Sequence, residues 1–377
     1  MYRFAWIVPC LLLLYSCGTK NEKKLTEGSM AYQKTEYAKG FYINPEDSEV
    51  VVTSPWQGIS DYHLCYYKSD TILKSDDHTM TVAIPKKINR IITFSTTHIG
   101  FLRALGEDHK LVGISGTKYV NDPTIRERIN SGEIQDVGYD RSLNEELIIS
   151  LKPDIIFAYG VGSEVMELYQ RFKKFNIPVV IIGEYSEMHP LGKLEWIKVF
   201  GYIFGKENQA QKIYTDKREK YNNLKSLVSK DSLSLPLVMT GFPYKDSWWM
   251  SGSKTTTAQF IRDAGGKYLW SNHNTNKSFP VAFEEVYMKS AKADYWIDCG
   301  SMRSRSQILD SDPRFQSFKP WKENHIFNNN KRLSEEGGND FWESGVITPE
   351  LILGDLIAIF HPQLMPNHSF YYYTKLK

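Results

Sequence analysis

A helix–turn–strand pattern occurs twice in this chain. EELIISLKPDIIFAYG, from Glu145 to Gly160, has a counterpart in EEVYMKSAKADYWIDCG, from Glu284 to Gly300. Each copy opens on a glutamate pair and runs through a short helix-like stretch to a Lys-x-Asp turn, Lys152-Pro153-Asp154 in one and Lys292-Ala293-Asp294 in the other. Each then enters an apolar strand that ends at glycine, the second copy being one residue longer. Such a repeat predicts two similar lobes with a cleft between them. A glutamate in the first turn of a helix is stabilised by the helix dipole, so a single pair would be ordinary capping. Two pairs at matching positions predict matched docking points outside the cleft.

The flanking sequence completes each lobe. INRIITFS, KLVGIS, PDIIFAYG and IPVVIIGE read as short apolar strands. Between them HIGFLRALG (closed by Gly106), SLNEELIISL and EVMELYQRFKKFN read as amphipathic helices. After Pro236 the alternation returns, with LVMTGF, ADYWIDCG and HIFNNN as strands. FEEVYMKS and PELILGDLIAIF are helices there, the latter with Pro349 in its first turn, while WWMSGSKTTTAQFIRDAGG is a loop plus helix. Leu191 to about Lys230 keeps apolar residues at helical spacing without proline. A continuous helix there would be about 60 Å long, with Gly205-Lys206-Glu207 as the place where it would break. The expected fold class is α/β: two Rossmann-like lobes with central, mainly parallel sheets, joined by one long rigid backbone helix, plus a short N-terminal β extension.

The predicted division is a lipoprotein signal peptide at 1–16, a lipid-anchored flexible tether at 17–38, and a hairpin-like β extension at 39–85. An N-terminal α/β lobe at 86–190, a connecting helix at 191–230, and a C-terminal α/β lobe and tail at 231–377 follow. The tail HPQLMPNHSFYYYTKLK shows no clear period. The leader assignment rests on Arg3, the apolar run Phe4 to Leu14, and Ser16 directly before Cys17, followed by polar TKNEKK. Cys17 is therefore the expected lipid anchor, the only membrane attachment, and the expected location is periplasmic. No later stretch approaches the ~20 apolar residues of a membrane span. The net charge of +2, with no polybasic aromatic patch, gives no reason to expect nucleic acid. Cys65 and Cys299 are too few for a disulfide framework and are either buried thiols or one bridge.

Motifs for catalysis are absent. Ser251-Gly252-Ser253-Lys254-Thr255 lacks the glycines of a phosphate loop, and Gly113-Ile114-Ser115-Gly116 lacks the spacing of a nucleophile elbow. No zinc-type cluster occurs, so no dedicated metal site is expected. In parallel α/β sheets, ligands sit beyond the carboxyl ends of the strands. That rule selects Ser95–His98, Lys118–Tyr119, Tyr159–Ser163 and Glu184–Glu187 in the first lobe. In the second it selects Tyr244–Trp249, Gly300–Arg305 and Asn330–Trp342. The candidate ligand-binding residues are Thr97, His98, Lys118, Tyr119, Tyr159, Tyr185, Trp248, Trp249, Arg303 and Trp342, with Arg305 and Arg332 as further cations. Aromatic faces with cations suit a large, flat or anionic ligand. GGNDFWESG, from Gly337 to Gly345, is the strongest single candidate, since two glycines permit close backbone approach.

Together these segments resemble the periplasmic substrate-binding proteins of ABC importers for cobalamin and ferric siderophores, the helical-backbone type. The resemblance covers about residues 86–362 and is carried by INRIITFSTTHIGFLRALGEDHKLVGIS, LNEELIISLKPDIIFAYG, PLGKLEWIKVFGYIFGKENQAQKIY and SGSKTTTAQFIRDAGG. AKGFYI, VVTSPWQG and GGNDFWESG look like a lipoprotein branch seen in Bacteroidota-type bacteria. The resemblance implies a monomeric binding protein, not an enzyme. It implies that Glu146 and Glu285, with Glu145 and Glu284 beside them, dock on an ABC permease, and that the rigid helix limits lobe closure. It leaves the ligand open among ferric siderophore, cobalamin and haem. A siderophore cleft carries Arg or Lys for the anionic chelate, which Lys118, Arg303 and Arg305 favour. Haem would ask for an axial Tyr119, Tyr159, Tyr185 or His98. The alternative of another class is a stand-alone scavenger or sensor lipoprotein without a permease.

Overall fold

The computed structural model describes residues 35–44, 49–53, 63–68, 79–139, 142–160, 164–228, 234–244 and 247–377. The lipobox with Cys17, most of the tether and the Pro55–Gly58 turn lie outside the described residues. The first lobe is built on β5 (Ile91–Thr93), β6 (Leu111–Ile114), β7 (Gln135–Asp136), β8 (Ile155–Ala158) and β9 (Val179–Ile181), all parallel, in the order β7-β6-β5-β8-β9. The second is built on β10 (Leu237–Thr240), β12 (Lys267–Tyr268), β14 (Tyr295–Ile297), β15 (Ile326–Asn328) and β16 (Thr374–Lys375), in the order β12-β10-β14-β15-β16, with only β16 antiparallel. Without the edge strands β7 and β16, the two orders match strand for strand.

The sequence repeat has a physical cause in these sheets. Asp154 of the first Lys-x-Asp turn accepts hydrogen bonds at Oδ2 from the Asn89 (2.7 Å) and Arg90 (3.0 Å) amides, just before β5. Asp294 accepts at Oδ2 from the Leu237 amide, the first of β10, at 2.7 Å. Each aspartate also donates its own amide back to the same neighbouring segment, to Arg90 or Leu237. Each turn thus pins an incoming strand against its parallel partner. The glutamate helix before each turn, Glu145–Ser150 or Phe283–Ser290, packs over that strand through buried Ile148 or Val286.

The connection differs from one continuous helix. It is divided into Pro190–Glu195, Ile197–Phe204 and Glu207–Val228. Gly205, at φ +67°, ends the second piece in a left-handed cap that residues with a side chain rarely adopt. The 22 residues of the last piece span about 33 Å, roughly half the length expected for an unbroken helix. Stiffness comes from docking at both ends. Lys206 donates to Leu105 O (2.6 Å) and pairs with Glu107 in the first lobe. Tyr221 donates to Asp263 (2.8 Å) and Lys217 to Glu350 (2.6 Å) in the second.

The N-terminal extension is a four-stranded mixed sheet rather than a hairpin. Its strands are β1 (Phe41–Asn44), β2 (Glu49–Val52), β3 (His63–Lys68) and β4 (Thr79–Ile84), with β3 and β4 parallel. Val50, Val52, Leu64 and Tyr66 are buried, and the Tyr66 hydroxyl accepts the Ile181 amide at 2.7 Å, which ties the sheet to β9. The C-terminal tail, which shows no sequence period, is fixed by one buried carboxylate. Asp355 accepts the amides of Tyr371, Tyr372 and Tyr373 and meets His368 Nε2 at 2.6 Å, and this turns Thr374–Lys375 onto β15. Cys65 and Cys299 are both buried and form no disulfide with each other.

Candidate functional site

The strand-end loops of both lobes meet around a pocket of about 380 Å³. Thr96 and Tyr119 line it from the first lobe; Gly300, Ser301, Arg303, Asn330 and Leu333 line it from the second. Gly337, Asn339 and Trp342 close it. Arg303 is the one charged residue in this lining, with no carboxylate beside it. No acidic side chain lies within salt-bridge distance of Arg303 among the described residues. Trp342 is 57% exposed and Tyr119 41%, so both present aromatic faces. Lys118 sits with its ammonium 4.9 Å from the Tyr119 ring, adding a second cation at the rim.

The Gly337–Gly345 segment is a strap between the lobes. Glu343 accepts the Asn121 amide (2.7 Å) and the Asp122 amide (3.0 Å) of the first lobe. Asn121 Nδ2 donates in return to Gly338 O and Arg332 O, each at 3.1 Å, and Arg126 pairs with Glu336. A Cβ on Gly338 would stand 2.5 Å from Val120 O, so the close approach that this glycine permits is to the other lobe's backbone. Burial raises the Glu343 carboxyl to about 7. A smaller chamber of about 80 Å³ lies on the other side of the strap, with Trp342 forming a wall of both cavities.

Of the ten residues expected to bind ligand, Tyr119, Arg303 and Trp342 come together in the larger pocket, and Thr97 lines the smaller one. His98 does not reach the cleft. It is fully buried in the Thr96–Leu105 helix, its Nδ1 2.8 Å from Thr93 Oγ1 and its ring beside Phe157 and Phe200. Burial lowers its pKa to about 3, which keeps it a neutral core residue. Trp248 is likewise core. It belongs to a ribbon missed in the sequence, β11 (Trp248–Ser251) paired with β13 (Ser278–Val281), and packs against Trp296, Phe315 and Phe318. Trp249, on the other face of that strand, is exposed and lines neither cavity. Tyr159 is half-buried against the first lobe's core, and Tyr185 donates its hydroxyl to Gly160 O; neither lines either cavity. Arg305 stacks on Trp321 (4.2 Å) and Arg332 pairs with Asp340 (2.5 Å), so both of those cations serve structure.

Sequence reasoning missed Asn330 and Asn339 in the pocket wall, and Glu184, Lys193, Thr256, Thr257 and Asp298 in the chamber. Asn330, Asn339 and Glu184 lay in loops the strand-end rule had selected. Asp298 was taken as the end of a strand; it turns out of β14 in a left-handed conformation, φ +57°. Of the acidic pairs, Glu146 and Glu284 are exposed, whereas Glu145 pairs with Arg171, and Glu285 accepts from Lys289 (3.1 Å) and Trp270 Nε1 (3.2 Å). Among the described residues no group of three or more His, Cys, Asp or Glu side chains is placed to hold a metal ion.

A two-lobed frame of this kind, with its cleft at the strand ends, matches a known family model. The periplasmic binding protein model aligns with residues 91–333. The chain belongs to the periplasmic binding protein family. The aligned part ends just before the strap, so Gly337–Gly345 and the helix Pro349–Phe360 lie beyond it. An uncharacterized lipoprotein of Methanocaldococcus jannaschii is 25% identical over 313 residues, 80% of this chain and 72% of that protein. Among solved structures, a periplasmic heme binding protein of Pseudomonas aeruginosa superposes with TM-score 0.57 at 18% identity, covering 73% of this chain and 94% of the other. The molybdate periplasmic binding protein of a Haemophilus influenzae ABC transporter gives TM-score 0.58 at 17% identity, covering 77% and 91%. These likenesses share the helical-backbone fold with this periplasmic binding protein. The family is one of substrate-binding proteins. No described helix is long and apolar enough to cross a membrane.

Proposed function

We propose that this periplasmic binding protein is the lipid-anchored capture component of a metal-chelate importer, taking a ferric chelate into the interlobe pocket and handing it to an ABC permease. The observation that carries the ligand class is the pocket lining. Arg303 stands among aromatic and amide side chains with no carboxylate among the described lining residues, and Lys118 brings a second cation over the ring of Tyr119, which lines the pocket. Arg303 is exposed and has no carboxylate within ion-pair distance among the described residues, and a guanidinium so placed on a pocket wall favours an anionic ligand. Tyr119 and Trp342 supply flat apolar surface for its organic part. The reading that the pocket takes haem instead rests on Tyr119, the one of its four axial candidates that lines the pocket.

Delivery is proposed from the acidic pairs. Each glutamate helix carries its pair in the first turn, at matching positions ahead of the Lys-x-Asp turn. Glu146 and Glu285, with exposed Glu284 beside the latter, are the proposed contacts for basic pockets on two permease subunits. Exposed ion pairs contribute only ~0–1 kcal/mol each, so their effect is on orientation and encounter rate. The ligand class is tested by purifying the mature protein from its own host and recording metal content and absorption. Co-purifying iron with a chelate charge-transfer band supports the reading; a Soret or corrin spectrum replaces it with the haem or cobalamin alternative.

A further inference from the structure

The chamber beside the strap has an acidic pole and a basic pole. The acidic pole holds Glu184, 4% exposed, whose Oε1 accepts the Thr97 hydroxyl at 2.8 Å and whose Oε2 is buried without a partner. Asp298 of the second lobe also lines the chamber, its Oδ1 accepting the Tyr373 hydroxyl at 2.8 Å. Burial raises both carboxyl groups, Asp298 to about 6. Lys193 of the Pro190–Glu195 helix also lines the chamber, near enough to Glu184 for the two charges to act on each other. Burial lowers its pKa, and no carboxylate oxygen lies within 4 Å of it among the described residues. Its other electrostatic neighbour, Glu187, is held by the Lys39 and Gly40 amides and the Trp196 ring N–H. Beside Lys193, Thr256 and Thr257 open the eight-residue Thr256–Asp263 helix. That helix has no acidic residue in its first turn, and Thr255 caps only the Ala258 amide, leaving the Thr256 and Thr257 amides without helical acceptors.

We propose that this chamber is an inner subsite for a compact group carrying a carboxylate together with an ammonium or other N–H donor, the α-amino-carboxylate class. Its carboxylate meets Lys193 and the open amides of the Thr256–Asp263 helix, where both charge and dipole favour an anion. Its donor meets Glu184 Oε2, the buried acceptor that otherwise lacks a bond, with Asp298 as a second carboxyl in the lining. Half a ligand satisfies one pole and leaves the other unpaired. The volume of about 80 Å³ admits a group of a few heavy atoms and excludes a whole chelate. Trp342, shared by both cavities, places this subsite directly behind the larger pocket. The inference uses the cleft as a binding site, as the proposed function does, but it does not require that the larger ligand contain iron.

The test is calorimetric titration of the mature protein with glycine and L-serine, with acetate and methylammonium as half-ligand controls. The amino acids are expected to bind at least about tenfold more tightly than either control, the equivalent of about 1.4 kcal/mol. K193M is expected to abolish the difference by weakening the amino acids to the level of methylammonium, and E184Q to weaken them to the level of acetate. T256P, which removes one open amide at a helix position that tolerates proline, tests the helix side if either variant folds poorly and is expected to weaken the amino acids and acetate alike, with circular dichroism as the folding check. Equal binding of amino acids and half-ligands, or no amino-acid binding, overturns the proposal. Ferric-chelate binding with no amino-acid effect overturns this subsite alone; amino-acid binding without ferric-chelate binding overturns the proposed function alone.

Discussion

Protonation of Glu343 sets how firmly the strap holds the two lobes together. Its carboxyl is 3% exposed and raised from 4.5 to about 7 by burial, with Asp340 adding to the rise and Arg103, Arg126 and the Asn121 amide opposing it. A group whose folded pKa lies above its unfolded value contributes stability that is complete below the unfolded pKa. That stability is lost as pH rises through the folded pKa. The shift corresponds to about 3 kcal/mol at ~1.36 kcal/mol per unit, present below about pH 4.5 and gone above about pH 7. The local opening free energy of the strap is therefore expected to fall by about that amount between pH 4.5 and 7.5. Glu343→Gln keeps the shape and removes the titration. It loses one acceptor, a pH-independent offset of about 1–3 kcal/mol, and its profile is expected to be flat. The assay is hydrogen exchange at the Asn121 and Asp122 amides, the two donors to Glu343, corrected for intrinsic exchange at each pH. Parallel pH profiles for wild type and variant would refute the reasoning.

Arg303→Ala is expected to weaken binding of an anionic chelate by about tenfold or more, the effect of losing a charge-assisted hydrogen bond, while leaving neutral ligands and the melting temperature unchanged; titration calorimetry and differential scanning calorimetry check both. Gly338→Ala would place a Cβ 2.5 Å from Val120 O, so the strap should lift and Trp342 fluorescence should change without loss of secondary structure by circular dichroism. Asp355→Ala strands three tail amides and should cost about 2–4 kcal/mol, with limited proteolysis releasing the residues after His361 in the variant first. Charge reversal at both Glu146 and Glu285 should reduce cellular uptake of the chelate while leaving its binding to the purified protein intact; undiminished uptake would favour the stand-alone scavenger reading.

The two lobes were legible because each strand and helix carries its own period, and because the Lys-x-Asp turn repeats the aspartate that pins the neighbouring strand. The break in the connecting helix falls at Gly205-Lys206-Glu207, where the sequence allowed it, because Gly205 adopts a left-handed cap; the further division at Trp196 has no glycine or proline to mark it. His98 and Trp248 were placed in the cleft by a rule that selects loops. Each lies at the edge of a selected loop, but His98 turns inward beneath the helix, and Trp248 alternates with exposed Trp249 on a strand whose partner, Ser278–Val281, is nearly thirty residues away. Of the paired glycines of GGNDFWESG, Gly338 makes a close approach, to the Tyr119 and Val120 backbone, whereas Gly337 has open space around it and takes a left-handed turn at φ +95°. Lys193 and Asp298 were invisible because their importance arises only where a helix and a strand end from different lobes converge.

The central claim is that the pocket around Arg303 and Trp342 selects a ferric chelate. Titration of the mature protein with a ferric siderophore, its iron-free form, cyanocobalamin and haem tests it directly, followed by tryptophan fluorescence for wild type and Arg303→Ala. Saturable quenching by the ferric siderophore is expected, with a much weaker response to the other three and loss of that preference in the variant. Saturable binding of haem or cyanocobalamin with no response to the ferric siderophore, unchanged in Arg303→Ala, would contradict it.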